Sequence, residues 1–319
     1  MNLMQLYQVA KMYYLDGMNQ AEIGKIENLS RSQISRLLEQ GRQQGIVRIE
    51  ILLPDQINEE KLSEFLAQEL GLETVYIAMV DGSEVDDRIA MTAIAGTAAA
   101  ILPREIRNCR TVGIGWGRTV YQASVWMPYS PYDTETLFVP LVGLSTTSDP
   151  HLQVNTIIDR FAQKQRGRSY FSSMHVFRER KIPLTARETQ RIHNLQHYWN
   201  SLDAAIFGLG GKLHSGSYIA EEVGEDYLSK IEESSVLGDI LSQFFFADGS
   251  TLDLREEFRQ MAFNIQLLSQ VPKTICLAGG PDKVDAIYAG ARAGFFKTLV
   301  TDSVTARLLY EKIRRHMAQ

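Results

Sequence analysis

Seven short apolar stretches recur between residues 74 and 302: TVYIAMV (74–80), RTVGIGW (110–116), TLFVPLVG (136–143), RSYFSSMHV (168–176), AAIFGLG (204–210), TICLAGG (274–280) and KTLVTD (297–302). Each has strand length, and most of the sequence between them follows helical periodicity. Strands that alternate with helices predict a doubly wound α/β domain with a largely parallel sheet. A further stretch, DILSQFFFADGSTLD (239–253), predicts a hairpin turning at Asp248-Gly249.

The first 50 residues follow a different rule. Leu6, Val9, Ala10 and Tyr13 recur at helical spacing until Asp16-Gly17 ends the run. Asn19, with Glu22 three residues on, has the form of a capping box at the head of NQAEIGKI. After a break at ENLS, Ser30 caps a second helix, RSQISRLLEQGRQQG, with Ile34, Leu37 and Leu38 on its apolar face. Beyond Gly45, IVRIEILL (46–53) alternates like a strand.

Two short helices joined by a tight break, the second one basic, form a helix-turn-helix, whose second helix enters the major groove. The formal net charge of −5 argues against a chain coated with nucleic-acid-binding surface. The distribution says more, because residues 31–48 carry Arg31, Arg36, Arg42 and Arg48 against one acid, Glu39. The expected DNA-contacting set is Gln20, Ser30, Arg31, Ser32, Gln33, Ser35, Arg36 and Arg42. Arginine suits guanine O6/N7 and glutamine suits adenine, while Arg42 and Arg48 are placed for backbone phosphates. Pro54-Asp55 then separates a DNA-binding domain (1–53) from an α/β domain (54–319).

Glycine-rich strand ends mark the second candidate site: GIGWGRTV (113–120), FGLGG (207–211) and LAGGPDK (277–283). Ligands of open α/β sheets sit at the carboxyl ends of the strands. Gly115 and Gly117 let backbone approach an anion, Thr119 adds a hydroxyl and Arg118 a charge, and Lys283 opens a helix from which it can reach a phosphate. A dinucleotide site needs G-x-G-x-x-G and a later acid, and a P-loop needs GK[ST]; neither pattern is present. His193 and His197 share a helix face without a third ligand. Cys109 and Cys276 are far apart and follow no metal or redox spacing. IAMTAIAGTAAAIL (89–102) is too short and too interrupted for a membrane span, and the N-terminus lacks the marks of a signal peptide. The expectation is a cytoplasmic chain with reduced thiols and no metal or cofactor.

In order along the chain, QAEIG…LSRSQISRLLEQGRQQGIVRIEI, VGIGWGRTV, FVPLVG, QVNTI, VLGDIL, AGGPDKVDAI and LVTDSVTARLL make the sequence resemble, nearly end to end, a bacterial SorC-type (sugar-binding, DeoR-related) transcriptional regulator. The resemblance implies a winged-helix-like reader of operator DNA joined to an effector and oligomerisation domain related to ribose-5-phosphate and glucosamine-6-phosphate isomerases. That domain binds a sugar or sugar phosphate without converting it, in subunits that form dimers or tetramers. Carried over to this chain, Gly115, Gly117, Arg118 and Thr119 form the phosphate-side loop, Gln153 contacts the effector, and Lys283 reaches the phosphate from the other side. The implied role is control of a carbohydrate-utilisation operon.

The alternative is a sugar-phosphate isomerase, which needs a proton-moving base. Asp239, Asp248 and Asp302 lie near expected strand ends, but none shows a pairing that marks one. Three departures from the family pattern stand out. Glu27-Asn28 replaces an apolar residue and glycine, so Asn28 is expected to turn left-handed with Ile26 or Leu29 filling the gap. Phe246 replaces an acid, and residues 170–177 lack the usual proline.

Overall fold

The computed structural model describes residues 3–43, 46–47, 59–80, 86–147, 149, 151, 153–212 and 222–317. The chain divides into two compact units, residues 1–56 and 57–319.

The first unit holds α1 (Leu3–Tyr14), α2 (Gln20–Glu27) and α3 (Arg31–Gln43). Leu6, Val9, Ile23, Ile34, Leu37 and Leu38 close into a core of their own. The capping box forms: the Asn19 side chain accepts from the Ala21 and Glu22 amides, and Glu22 accepts the Asn19 N–H at 2.9 Å. α2 ends on Asn28 in the left-handed region (φ 53°, ψ 42°), a conformation asparagine adopts more readily than most residues. The turn is tight enough that the Leu29 N–H reaches the Gly24 carbonyl at 2.9 Å, and a Cβ on Gly24 would lie 2.6 Å from the Leu29 oxygen. Of the two residues expected to fill the gap, Leu29 packs on the core while Ile26 is exposed. Of the expected strand 46–53, only Ile46 and Val47 lie within the described residues.

The second unit is an α/β layer structure. In chain order it contains α4 (Glu59–Leu70), β1 (Thr74–Ala78), α5 (Asp87–Glu105), β2 (Thr111–Ile114), α6 (Arg118–Trp126), β3 (Leu137–Pro140), α7 (Val154–Gln165) and β4 (Arg168–Ser169). β5 (Phe177–Glu179), α8 (Ala186–Trp199), β6 (Ala204–Gly208), α9 (Glu225–Glu233), β7 (Gly238–Ile240), β8 (Gln243–Phe245) and β9 (Phe258–Gln260) follow. The chain ends with β10 (Lys273–Leu277), α10 (Val284–Arg292), β11 (Thr298–Asp302) and α11 (Ser303–Met317). Seven strands form one parallel sheet in the order β1-β11-β10-β6-β2-β3-β4. From β2 the chain steps outward through β3 and β4, and from β6 it steps the other way through β10 and β11. The direction reverses between neighbours β2 and β6, and a crevice opens at such a reversal, outside the carboxyl ends of the strands.

One expectation is corrected and another is extended. The stretch 168–176 is a strand only at Arg168–Ser169; after that a single bridge pairs His175 with Leu144. The chain does double back at Asp248-Gly249, where Phe245 bridges Thr251 antiparallel and the Phe246 N–H donates to the Ser250 carbonyl at 2.8 Å, but a second hairpin that the sequence did not signal precedes it, turning at Leu241-Ser242 between β7 and β8. Both Leu241 (φ 52°) and Ser242 (φ 62°) are left-handed, as a two-residue type I′ turn requires. Leu241-Ser242 carried no sequence signal because such a turn normally selects Asn-Gly. Here one local and one tertiary contact hold it: Asp239 Oδ2, three residues back, accepts the Ser242 N–H at 3.2 Å, and Gln260 Nε2 donates to the Ser242 carbonyl at 2.6 Å.

Candidate functional site

In the first unit, α3 has the exposed, basic face a reading helix needs. Ile34, Leu37 and Leu38 are buried, which turns Arg31, Ser32, Gln33, Ser35 and Arg36 to the exposed side. Ser30 starts the helix with a reciprocal cap: its N–H donates to Gln33 Oε1 at 2.8 Å, and the Gln33 N–H returns to Ser30 Oγ at 3.3 Å. Gln20 is half-buried at the head of α2. Arg42 is exposed, but its guanidinium pairs with Glu39 one turn back, so its charge is partly offset. Arg48 lies outside the described residues.

In the second unit, the loops after β2, β6 and β10 converge at the sheet reversal. A Cβ on Gly208 would lie 3.7 Å from the Trp116 carbonyl and 3.8 Å from that of Leu277, so the three strand ends are in near contact. Gly115 continues the ladder, donating its N–H to the Ile206 carbonyl at 2.8 Å. That amide is therefore spent in the sheet. What Gly115 supplies is space, because a Cβ there would sit 2.8 Å from Leu241 Cδ2 and 3.0 Å from Phe207 Cβ.

Gly117 is a different kind of glycine. Nothing lies within 4 Å of an added Cβ, but its φ of +126° is one that side chains disfavour. It starts α6 without any side-chain cap. The first-turn amides of α6 thus form the sort of helix start that binds anions. Arg118 is exposed at the first helical position and Thr119 is half-buried beside it.

The loop after β3 forms the rim of this helix start. The Gly117 N–H donates to the His151 carbonyl at 3.4 Å, and the His151 ring lies against Tyr121 with centroids 4.4 Å apart. Asp149 is held below the usual carboxylate range, first by the His151 backbone N–H and then by the His151 ring, with Arg118 adding a smaller pull. Gln153 braces the loop from within, its Nε2 donating to the carbonyls of Ser145 (3.2 Å) and Thr147. Glu222 braces the other side by accepting from Ser145 Oγ and the Thr146 N–H. The expected effector residue Gln153 therefore has its donors engaged in shaping the rim.

Across the reversal, Lys283 lies at the turn into α10, with its Cγ 3.2 Å from a Cβ built on Gly211. What faces it is Asp239, one of the three acids weighed as a base. Asp239 exchanges both backbone hydrogen bonds with Gly210, and the residue is 6% exposed. Burial pushes that carboxyl up to about 6, against the opposing pull of the Ser242 N–H and the Lys283 charge. Its sequence signals were an acid inside the apolar run VLGDIL and a place near an expected strand end. Glu222 had none, since it is brought to the rim by the fold alone.

The other two acids weighed as bases are occupied elsewhere. Asp302 accepts the Val304 and Thr305 amides and the Thr305 hydroxyl, and it also holds the Gly280 N–H at 3.3 Å. Asp248 caps the exposed turn to Ser250. Phe246 packs against the core. Cys276 is a buried strand residue whose thiol burial pushes up. Among the described residues, no three His, Cys, Asp or Glu side chains gather as a metal site, and no helix is long and apolar enough to cross a membrane.

The two units define a chain in which a three-helix unit with an exposed basic helix is joined to a doubly wound ligand-binding domain. The family model described as a putative sugar-binding domain matches residues 55–311. The chain is 26% identical over 307 residues to the sorbitol operon regulator of Klebsiella pneumoniae, covering 95% of this chain and 96% of that one. It is also 26% identical over 313 residues to the deoxyribonucleoside regulator of Bacillus subtilis (strain 168), with the same coverage. The crystal structure of the full-length Klebsiella pneumoniae regulator, SorC, superposes with a TM-score of 0.71 at 26% identity, over 97% of this chain and 99% of that one. The chain belongs to the SorC family of sugar-binding transcriptional regulators.

Proposed function

We propose that this chain switches transcription of a carbohydrate-utilisation operon in response to a sugar phosphate. α3 reads a half-site in operator DNA, and two or more copies together read a pseudo-palindrome as a dimer or tetramer. The effector phosphate sits on the uncapped start of α6, held by the amides after Gly117, by Thr119 and by the Arg118 charge. Lys283 approaches from the opposite side, and Asp239 faces the sugar hydroxyls. Gln153 acts through the rim it braces.

The observation that carries this reading is the uncapped start of α6, at the sheet reversal, with Lys283 and the β7 residue Asp239 across it. The named relatives are regulators, which favours a sensor over an isomerase on the same fold. Only a ligand with different affinity for two arrangements of the chain can shift operator binding. Thermal-shift screening against sugars and their phosphates identifies the effector, since a bound ligand raises apparent stability with ln(1 + [L]/Kd). The identified effector is then expected to change operator affinity. Turnover of pentose or hexose phosphates in a coupled isomerase assay would refute the sensor reading.

A further inference from the structure

The amino end of the sheet, opposite the candidate cleft, carries a surface that ligand binding does not use. A groove of about 620 Å3 lies before β2 and β3, between the turn that follows α5 and the loop that follows α6, with Ile106, Cys109 and Thr136 in its buried lining. The loop, PYSPY (128–132) and the residues after it, is pinned to the end of α7. The Ser130 N–H donates to the Lys164 carbonyl at 2.6 Å, the Thr134 N–H to the Arg166 carbonyl at 3.1 Å, and Thr134 Oγ1 to the Gln165 carbonyl at 2.9 Å. Held in this way, Tyr129 and Tyr132 are 68% and 71% exposed, and Trp126 at the end of α6 is 44% exposed. Aromatic side chains on a fixed backbone are the usual anchors of protein interfaces, because little freedom is lost when they are covered.

The helices leading into the groove continue the surface. No charged residue occurs in 89–103, the body of α5, or in 119–132, from α6 into its loop. α5 buries Ile94, Ala95, Ala98 and Leu102, yet its other side, with Ile89, Ala93, Gly96 and Ala100, is uncharged as well. A helix apolar all round is ordinarily covered all round. Charge then identifies the partner. The turn after α5 brings Arg107 and Arg110 to the groove and the loop after α6 brings Glu135, and none of the three pairs with a charged side chain among the described residues. A partner of a single charge, such as a nucleic acid, would meet one repelling wall. A second copy related by a two-fold axis along the groove sets each basic wall on the other's acidic one. The area suffices: α5 has 19 residues and is about 28 Å long, and with α6 alongside at about 10 Å per helix the strip covers roughly 500–600 Å2 per copy, over about 1,000 Å2 for a pair.

We propose that this face, from α5 and α6 to the loop of Tyr129 and Tyr132, is where two copies of the chain join, with the candidate cleft left open at the far end of each sheet. This rests on the dimer-or-tetramer reading for the existence of an assembly, and adds where its subunits meet.

The test is sedimentation of the full-length chain over a range of concentrations. Three variants are compared with wild type: Tyr129→Asp, the double reversal Arg107→Glu with Arg110→Glu, and Glu135→Arg. Each is expected to weaken self-association about tenfold or more, lowering the assembly by one step, from tetramer to dimer or from dimer to monomer. Mixed one to one, the arginine-reversed and glutamate-reversed chains should associate again, because a mixed pair restores an acid opposite a base at both walls. A chain that had simply misfolded would not be rescued in this way. Variants that keep the wild-type assembly, or reversed chains that stay apart when mixed, would overturn the placement of the interface and leave the regulator reading untouched. A wild-type chain that is monomeric at every concentration would overturn this inference and the dimer-or-tetramer reading together.

Discussion

Asp239→Asn isolates the electrostatic cost built into the candidate cleft. In the unfolded chain the carboxyl titrates at its ordinary 3.8, and in the fold burial pushes it up to about 6. The folded state therefore binds the extra proton between those values. The stability this group contributes is complete below the lower value and is lost as pH rises through the upper one. A gap of about two units is worth roughly 3 kcal/mol in all, at about 1.4 kcal/mol per unit. Integrated from about pH 5 to about pH 7.5, where the folded carboxyl gives up its proton and the unfolded one already has, the loss is about 1.4 kcal/mol.

Asparagine keeps the shape and an acceptor for the Ser242 N–H but carries no charge to bury. Urea unfolding followed by tryptophan fluorescence is the assay, since Trp116, Trp126 and Trp199 all belong to the second unit. Asp239→Asn should gain about 1–1.5 kcal/mol on wild type between the two pH values, with the gain developing around pH 6. A difference that stays flat across the window, or one that favours the wild type at the higher pH, would refute the placement of a buried carboxylate in the cleft.

Lys283→Ala should blunt the effector response while leaving operator affinity unchanged, measured by DNA titration with and without the effector; an unaltered response would remove Lys283 from the site. Gly24→Ala drives a Cβ to within 2.6 Å of the Leu29 carbonyl, so it should destabilise the N-terminal unit by about 1–3 kcal/mol and abolish operator binding. Asn28→Gly, at a left-handed position, should be neutral or mildly stabilising when thermal melts of it and Gly24→Ala are compared with wild type. Arg31→Ala and Arg36→Ala should each weaken operator binding and shallow its salt dependence by about one charge where the contact is to phosphate. Arg42→Ala should change it less, because Glu39 already shares its charge.

Much of this architecture was legible in the residues. The capping box at Asn19 and Glu22, the apolar face of Ile34, Leu37 and Leu38, and most of the sheet strands follow from local pattern, because period and caps are properties of neighbours along the chain. The candidate cleft was legible only in part. Glycine spacing located the α6 start, but it did not separate Gly115, which makes room for Leu241, from Gly117, which adopts a backbone conformation that side chains disfavour.

Sequence by itself determined that the chain is a small helical unit followed by alternating strands and helices, since hydrophobic period and turn chemistry are written locally. Tertiary structure alone decided that β2 and β6 are neighbours, that a hairpin turns at Leu241-Ser242, and that Asp239 is buried near Lys283. Those outcomes depend on which distant segments press together. A left-handed leucine and a buried carboxylate are costly locally, and each persists only because the surrounding packing and hydrogen bonds hold it in place.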